Sequence, residues 1–164
     1  MLLRSRALDA LLIEFGSREK LERVGRDVRG VLLAAAYPIG CLRLHSERSR
    51  LNLRFQELTY VNCFDQDTMQ IDQDSLIREV KNRSQRPDLS EEGLKKAIHA
   101  IENEAHEPWA ICAGADLIGI LSVSLRRALG TNNTTTIQDE HLRRHLRLAY
   151  SDDEFAASDL WRWL

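Results

Sequence analysis

Apolar residues recur at helical spacing along most of this chain, and between Leu51 and Ile71 that spacing breaks. Leu51, Leu53 and Phe55 alternate with Asn52, Arg54 and Gln56, a period of two that suits a half-buried strand. Tyr60–Phe64 and Thr68–Ile71 offer two further short strands. Before and after this stretch the period returns to that of a helix with one buried face. The expected fold is α+β: a mainly helical single domain with a small β meander around residues 51–71. A chain of 164 residues can bury such a core without disulfides, and no repeat or low-complexity tract divides residues 1–164.

Punctuation residues set the expected helix limits. Ser5 can cap a first helix carrying Leu8, Leu11, Leu12 and Phe15, closed by Gly16. Ser17 opens a second, in which Leu21, Val24, Val28, Val31, Leu32 and Ala35 share a face. Pro38 and Gly40 predict its kink or end, with Cys41–Arg48 helical again. Asp72 is placed to cap the Leu76, Ile77 and Val80 face. Ser90 is placed to cap a helix carrying Leu94, Ala97, Ile98 and Ile101, which ends before Pro108. A helix over Ala115–Leu129 buries Leu117, Ile120, Leu121 and Leu125, and Gly130 stops it. A later one buries Leu142 and Leu146. Thr136 with Asp139, and Ser151 with Glu154, resemble capping boxes. The latter precedes a last helix carrying Phe155, Leu160, Trp161 and Trp163.

Three cysteines, Cys41, Cys63 and Cys112, form no CxxC pair, which argues against a zinc knuckle or a redox pair. Buried, reduced thiols are expected. Met1–Arg4 lacks the apolar stretch of a secretory signal. The longest apolar run, Val31–Tyr37, falls far short of the roughly 20 residues that span a bilayer. These features predict a cytoplasmic protein with no membrane partner. Aromatic residues make up only 6% of the chain, too few for an extended base-stacking platform.

Three groupings invite a chemical reading. Asp65-Gln66-Asp67 follows an apolar strand, and two carboxylates on one side of a chain can hold Mg²⁺. Asp72-Gln73-Asp74 repeats the pattern. The simpler reading makes Asp65 and Asp67 a turn and Asp72 a cap. His141 and His145 share a helix face at i, i+4, but Arg143 and Arg144 lie between them and no glutamate completes a metal motif. Arg126, Arg127, Arg143, Arg144 and Arg147 can form a basic face for phosphate or nucleic acid, or a solvated amphipathic face. The first 50 residues carry ten Lys and Arg against six Asp and Glu, net +4, and the remainder is net −6. That asymmetry permits an acidic or nucleic-acid partner. No nucleophile elbow, glycine-rich phosphate loop or Walker lysine is present. Gly114-Ala115-Asp116 opens a helix, with Asp116 expected as its cap.

The stretches Pro108–Leu117, Leu125–Asn133 and Leu146–Tyr150, with Met1–Ser5, Leu42–Leu44 and Leu51–Phe55, resemble the C-terminal half of a bacterial family of unknown function. That family has a Toprim-like (topoisomerase–primase) N-terminal half. Its members occur beside ABC-type ATPases in phage-defence gene pairs, where the Toprim-like partner is an effector nuclease. The resemblance covers nearly all of this chain and about half of a full family member. Two departures matter. Ala115 stands where the family has His, and the family's catalytic acids lie upstream of the segment matching Met1.

The resemblance therefore implies a non-catalytic domain without a cofactor, working through contact with an ABC-type ATPase, a Toprim-like half or a second copy. The alternatives are a Mg²⁺-dependent nuclease using Asp65 and Asp67 with Asp72 and Asp74, and a nucleic-acid-binding module. If half of a larger fold is missing, Leu2, Leu3, Leu8 and Leu11 and the terminal Trp161, Trp163 and Leu164 are expected to leave apolar surface open.

Overall fold

The computed structural model describes residues 6–25, 27–56, 58–104, 106–131 and 137–149. Among them the chain is mainly helical, with one two-stranded hairpin, the expected α+β class. The helices are α1 (Arg6–Phe15), α2 (Arg18–Val24), α3 (Val28–Arg48), α4 (Gln73–Ser84), α5 (Glu91–Glu102), α6 (Pro108–Ile111), α7 (Gly114–Ser124) and α8 (Asp139–Ala149). Ser5, Thr136 and the expected helix carrying Phe155, Leu160, Trp161 and Trp163 lie outside the described residues. So do Leu2, Leu3 and Leu164.

The helix expected to start at Ser17 is divided. Gly25 takes a left-handed φ of 88° and ends α2. Asp27 then starts α3, its side chain accepting the Gly30 N–H at 2.8 Å. Pro38, by contrast, does not stop α3, which runs unbroken for 21 residues. Proline deprives the Ala34 carbonyl of its N–H donor. Ala34 lies on the exposed face, where solvent can serve that carbonyl, while Pro38, Ile39, Gly40 and Cys41 are buried in the core. Packing thus outweighs the lost hydrogen bond.

α3 is the spine: α5, α6 and α7 all pack against it, as does the hairpin. Gly40 makes the α6 contact possible, since a Cβ there would stand 2.8 Å from the Ile111 carbonyl oxygen. α7 is buried all round from Asp116 to Ser124. It passes into a π turn over Leu125–Leu129, closed by the Gly130 N–H on the Leu125 carbonyl at 2.9 Å. Gly130 then bridges to Gly16, so the end of α7 is tied to the α1–α2 corner. Ser17 N–H donates to Leu129 O at 2.7 Å and Lys20 Nζ to Gly130 O at 2.8 Å. On the other side α1 packs on α8. Leu117, Ile120, Leu121, Leu125, Leu142 and Leu146 are all buried, as their spacing predicts.

The β region is smaller than a three-stranded meander. Strand β1 (Phe64–Asp65) pairs antiparallel with β2 (Gln70–Ile71), Phe64 opposite Ile71. Among the described residues Leu51–Phe55 has no strand partner, although its side chains do alternate, with Leu53 and Phe55 buried and Asn52 and Arg54 exposed. Two of its amides are served by side chains, Leu53 N–H donating to Ser46 Oγ and Arg54 N–H to Ser84 Oγ, while Leu51 N–H donates to the Ser46 carbonyl. Tyr60–Asn62 forms a 3-10 turn instead of a strand. Among the described residues no helix is long and apolar enough to cross a membrane.

Candidate functional site

Asp65 forms a turn. Its Oδ1 accepts the Asp67 N–H at 2.8 Å and the Thr68 N–H at 3.2 Å, and those bonds hold its carboxyl below the usual carboxylate range. Asp72 caps α4, accepting the Ser75 N–H at 2.8 Å. Asp74 pairs with Lys95 at 2.8 Å. Each of these three carboxylates thus has a local partner. Among the described residues no three His, Cys, Asp or Glu side chains converge to hold a metal. His145 lies 3.4 Å from Glu14 and stacks edge-on against Phe15, tying α8 to α1, while His141 is exposed.

The five candidate arginines come from two elements. Arg126 and Arg127 stand on the π turn, and Arg126 Nε donates back to the Ser122 carbonyl at 3.3 Å. Arg143, Arg144 and Arg147 stand on α8, with Arg144 and Arg147 exposed and Arg143 half-buried.

Asp116 does not cap α7. The cap position is Ala113, and Gly114 is the first helical residue. Asp116 is instead 1% exposed, and its two oxygens take Arg43 Nε at 2.7 Å and Arg43 Nη2 at 2.8 Å. Tyr60 donates its hydroxyl to Asp116 Oδ1 at 2.7 Å. The Arg43 guanidinium also lies 4.4 Å above the Phe55 ring. Burial works against the Arg43 charge, yet the Asp116 carboxylate outweighs it and holds the guanidinium above its ordinary pKa. Burial, and then the Asp116 charge, push the Tyr60 hydroxyl up. This cluster joins α3, the 3-10 turn and α7, with three hydrogen bonds converging on the Asp116 carboxylate. It is built to fix the fold. A buried carboxylate must be paired, so the one charge in the apolar run Gly114–Ser124 was the available signal for it.

The three thiols are buried or half-buried, and burial pushes each of them up to about 12. They are poor nucleophiles at neutral pH.

One surface feature remains. Leu8 and Leu11, expected to be open, are buried at 0% and 2%, but Ile13 on the same helix is 84% exposed. It sits on a groove of about 550 Å³ lined by Leu12, Gly16, Leu21 and Gly25, with Arg18 and Glu22 at its edge. Leu148 on α8, at 76%, is the other large apolar side chain left exposed among the described residues. Helical spacing leaves Ile13 off the Leu8, Leu11, Leu12 and Phe15 face, but the groove beside it comes from Gly16 and the turn to α2, which spacing does not show.

No family model, curated protein or solved structure matches this chain.

Proposed function

We propose that this domain works by protein contact, through the groove between α1 and α2. The observation that carries the reading is Ile13, a large aliphatic side chain 84% exposed beside an apolar groove. Leaving an isoleucine in water forfeits about 1.5–3 kcal/mol of burial, which a partner can recover. Asp65, Asp72 and Asp74 are engaged in a turn, a cap and an ion pair, and Asp116 is neutralised by Arg43. The resemblance at Pro108–Leu117 supplies the partners to try: an ABC-type ATPase or a Toprim-like nuclease half of a phage-defence pair.

The test is gel filtration of the chain mixed with each such partner, using Ile13→Glu as the control. Co-elution that the control loses supports the reading. A parallel incubation with DNA, RNA and tRNA in Mg²⁺ and Mn²⁺ tests the nuclease alternative. Cleavage that disappears in an Asp65→Ala, Asp67→Ala variant would replace protein contact with catalysis.

A further inference from the structure

We infer that the α1–α2 groove is a two-fold contact with a second copy of this chain, an inference that rests on the protein-contact reading above. A two-fold interface uses the same patch on both subunits, so the patch must be complementary to itself. This one is, in shape and in charge.

Shape comes first. The patch carries a knob, Ile13, and beside it a hole with a floor of Leu12 and Leu21. Gly16 and Gly25 at the hole's margins have no side chains to fill it. A Cβ on Gly16 would collide with the Leu12 carbonyl and with Leu21, so the tight corner between the helices itself requires glycine. A groove serving only a different protein has no need of its own knob. Here each copy can offer Ile13 to the other's hole.

Charge follows the same rule. Arg18 and Glu22 stand one turn apart on α2, at the groove's edge, and are opposite in sign. A two-fold axis passing outside α2, midway between Arg18 and Glu22 on the face away from Lys20, runs α2 antiparallel to the α2 of the other copy. It then places Arg18 against that copy's Glu22, and Glu22 against its Arg18. Within one chain the two already pair at 2.9 Å, with side chains 92% and 65% exposed. So exposed a pair is held weakly and can exchange partners across the interface.

The experiment is sedimentation equilibrium of the full chain over roughly 1–500 µM, the range in which a weak dimer dissociates. The parent is expected to dimerise, and Ile13→Glu to weaken the dimer at least about tenfold with an unchanged circular dichroism spectrum. Arg18→Glu and Glu22→Arg put like charges across the axis, so each alone should be weaker than the parent. Mixed in equal amounts they should form a heterodimer, since all cross-axis pairs are then opposite in sign. These charge variants decide the matter even if Ile13→Glu disturbs folding. A parent that stays monomeric overturns the inference, as does a dimer indifferent to Ile13→Glu or a mixture that shows no recovery. A monomer that still binds a partner protein through Ile13 removes the second copy and leaves the proposed function. A monomer that binds nothing removes both.

Discussion

Arg43 and Asp116 lie 73 residues apart and close on each other with two parallel hydrogen bonds of 2.7 and 2.8 Å. The pair fixes the C-terminal third of α3 against the first turn of α7, and Tyr60 completes the carboxylate's shell. Replacing Arg43 by methionine keeps the stem and leaves Asp116 charged and unpaired in the interior. A loss of about 3–5 kcal/mol is expected, read as a lower urea midpoint. A midpoint within error of the parent would mean that Asp116 is solvated.

Gly119 faces the ring of Tyr60 so closely that a methyl group there collides with it. Gly119→Ala should therefore push Tyr60 away from Asp116 and cost about 1–3 kcal/mol through overpacking. Tyrosine fluorescence or a urea midpoint would report it. The same substitution at Gly114, where a side chain meets only open space, should be close to neutral.

Acid should weaken the fold in a defined window. Hydrogen bonds from the Ser75 hydroxyl and N–H hold Asp72 below its ordinary 3.8, and Arg83, at 2.6 Å, holds Glu79 below 4.5. Both groups have lower pKa values folded than unfolded. Their contribution is therefore present above about pH 4.5 and is lost as pH falls through the depressed folded values. Asp72→Asn should flatten this acid slope while keeping much of the cap, whereas Asp72→Ala should cost about 1 kcal/mol at neutral pH.

Thiol labelling at pH 8 should be slow in the native state and fast in urea, because burial raises all three cysteines to about 12. Cys112, less deeply placed than Cys41 and Cys63, should react first of the three. Fast native labelling of Cys41 would contradict its place in the α3 core.

Much of this fold is written locally. The caps Asp72 and Ser90, the stop at Gly130, and the buried Leu117, Leu121, Leu142 and Leu146 follow from spacing and from side-chain oxygens near helix starts. Where long-range contacts decide, local signals mislead. Pro38 stays helical because its neighbours pack on α5, α6 and α7. Leu51–Phe55 alternates without forming a strand, since Ser46 and Ser84 bind its amides and Asn52 turns left-handed at φ 54°. The partner of Asp116 could not be read at all, because nothing near it in sequence carries the matching charge. The groove was hidden too: spacing leaves Ile13 off the buried face of α1, but the hollow beside it is made by Gly16 and the turn to α2.

The most direct test of the account is amide hydrogen exchange across α1 and α2, followed at rising concentration of the chain and in the presence of an ABC-type ATPase or a Toprim-like half. Contact at the groove predicts slower exchange centred on residues 12–25 in at least one of these mixtures, and no slowing there in Ile13→Glu. Exchange at residues 12–25 that is the same in every mixture, or protection centred on Asp65–Thr68 or on the α8 arginines, would contradict it.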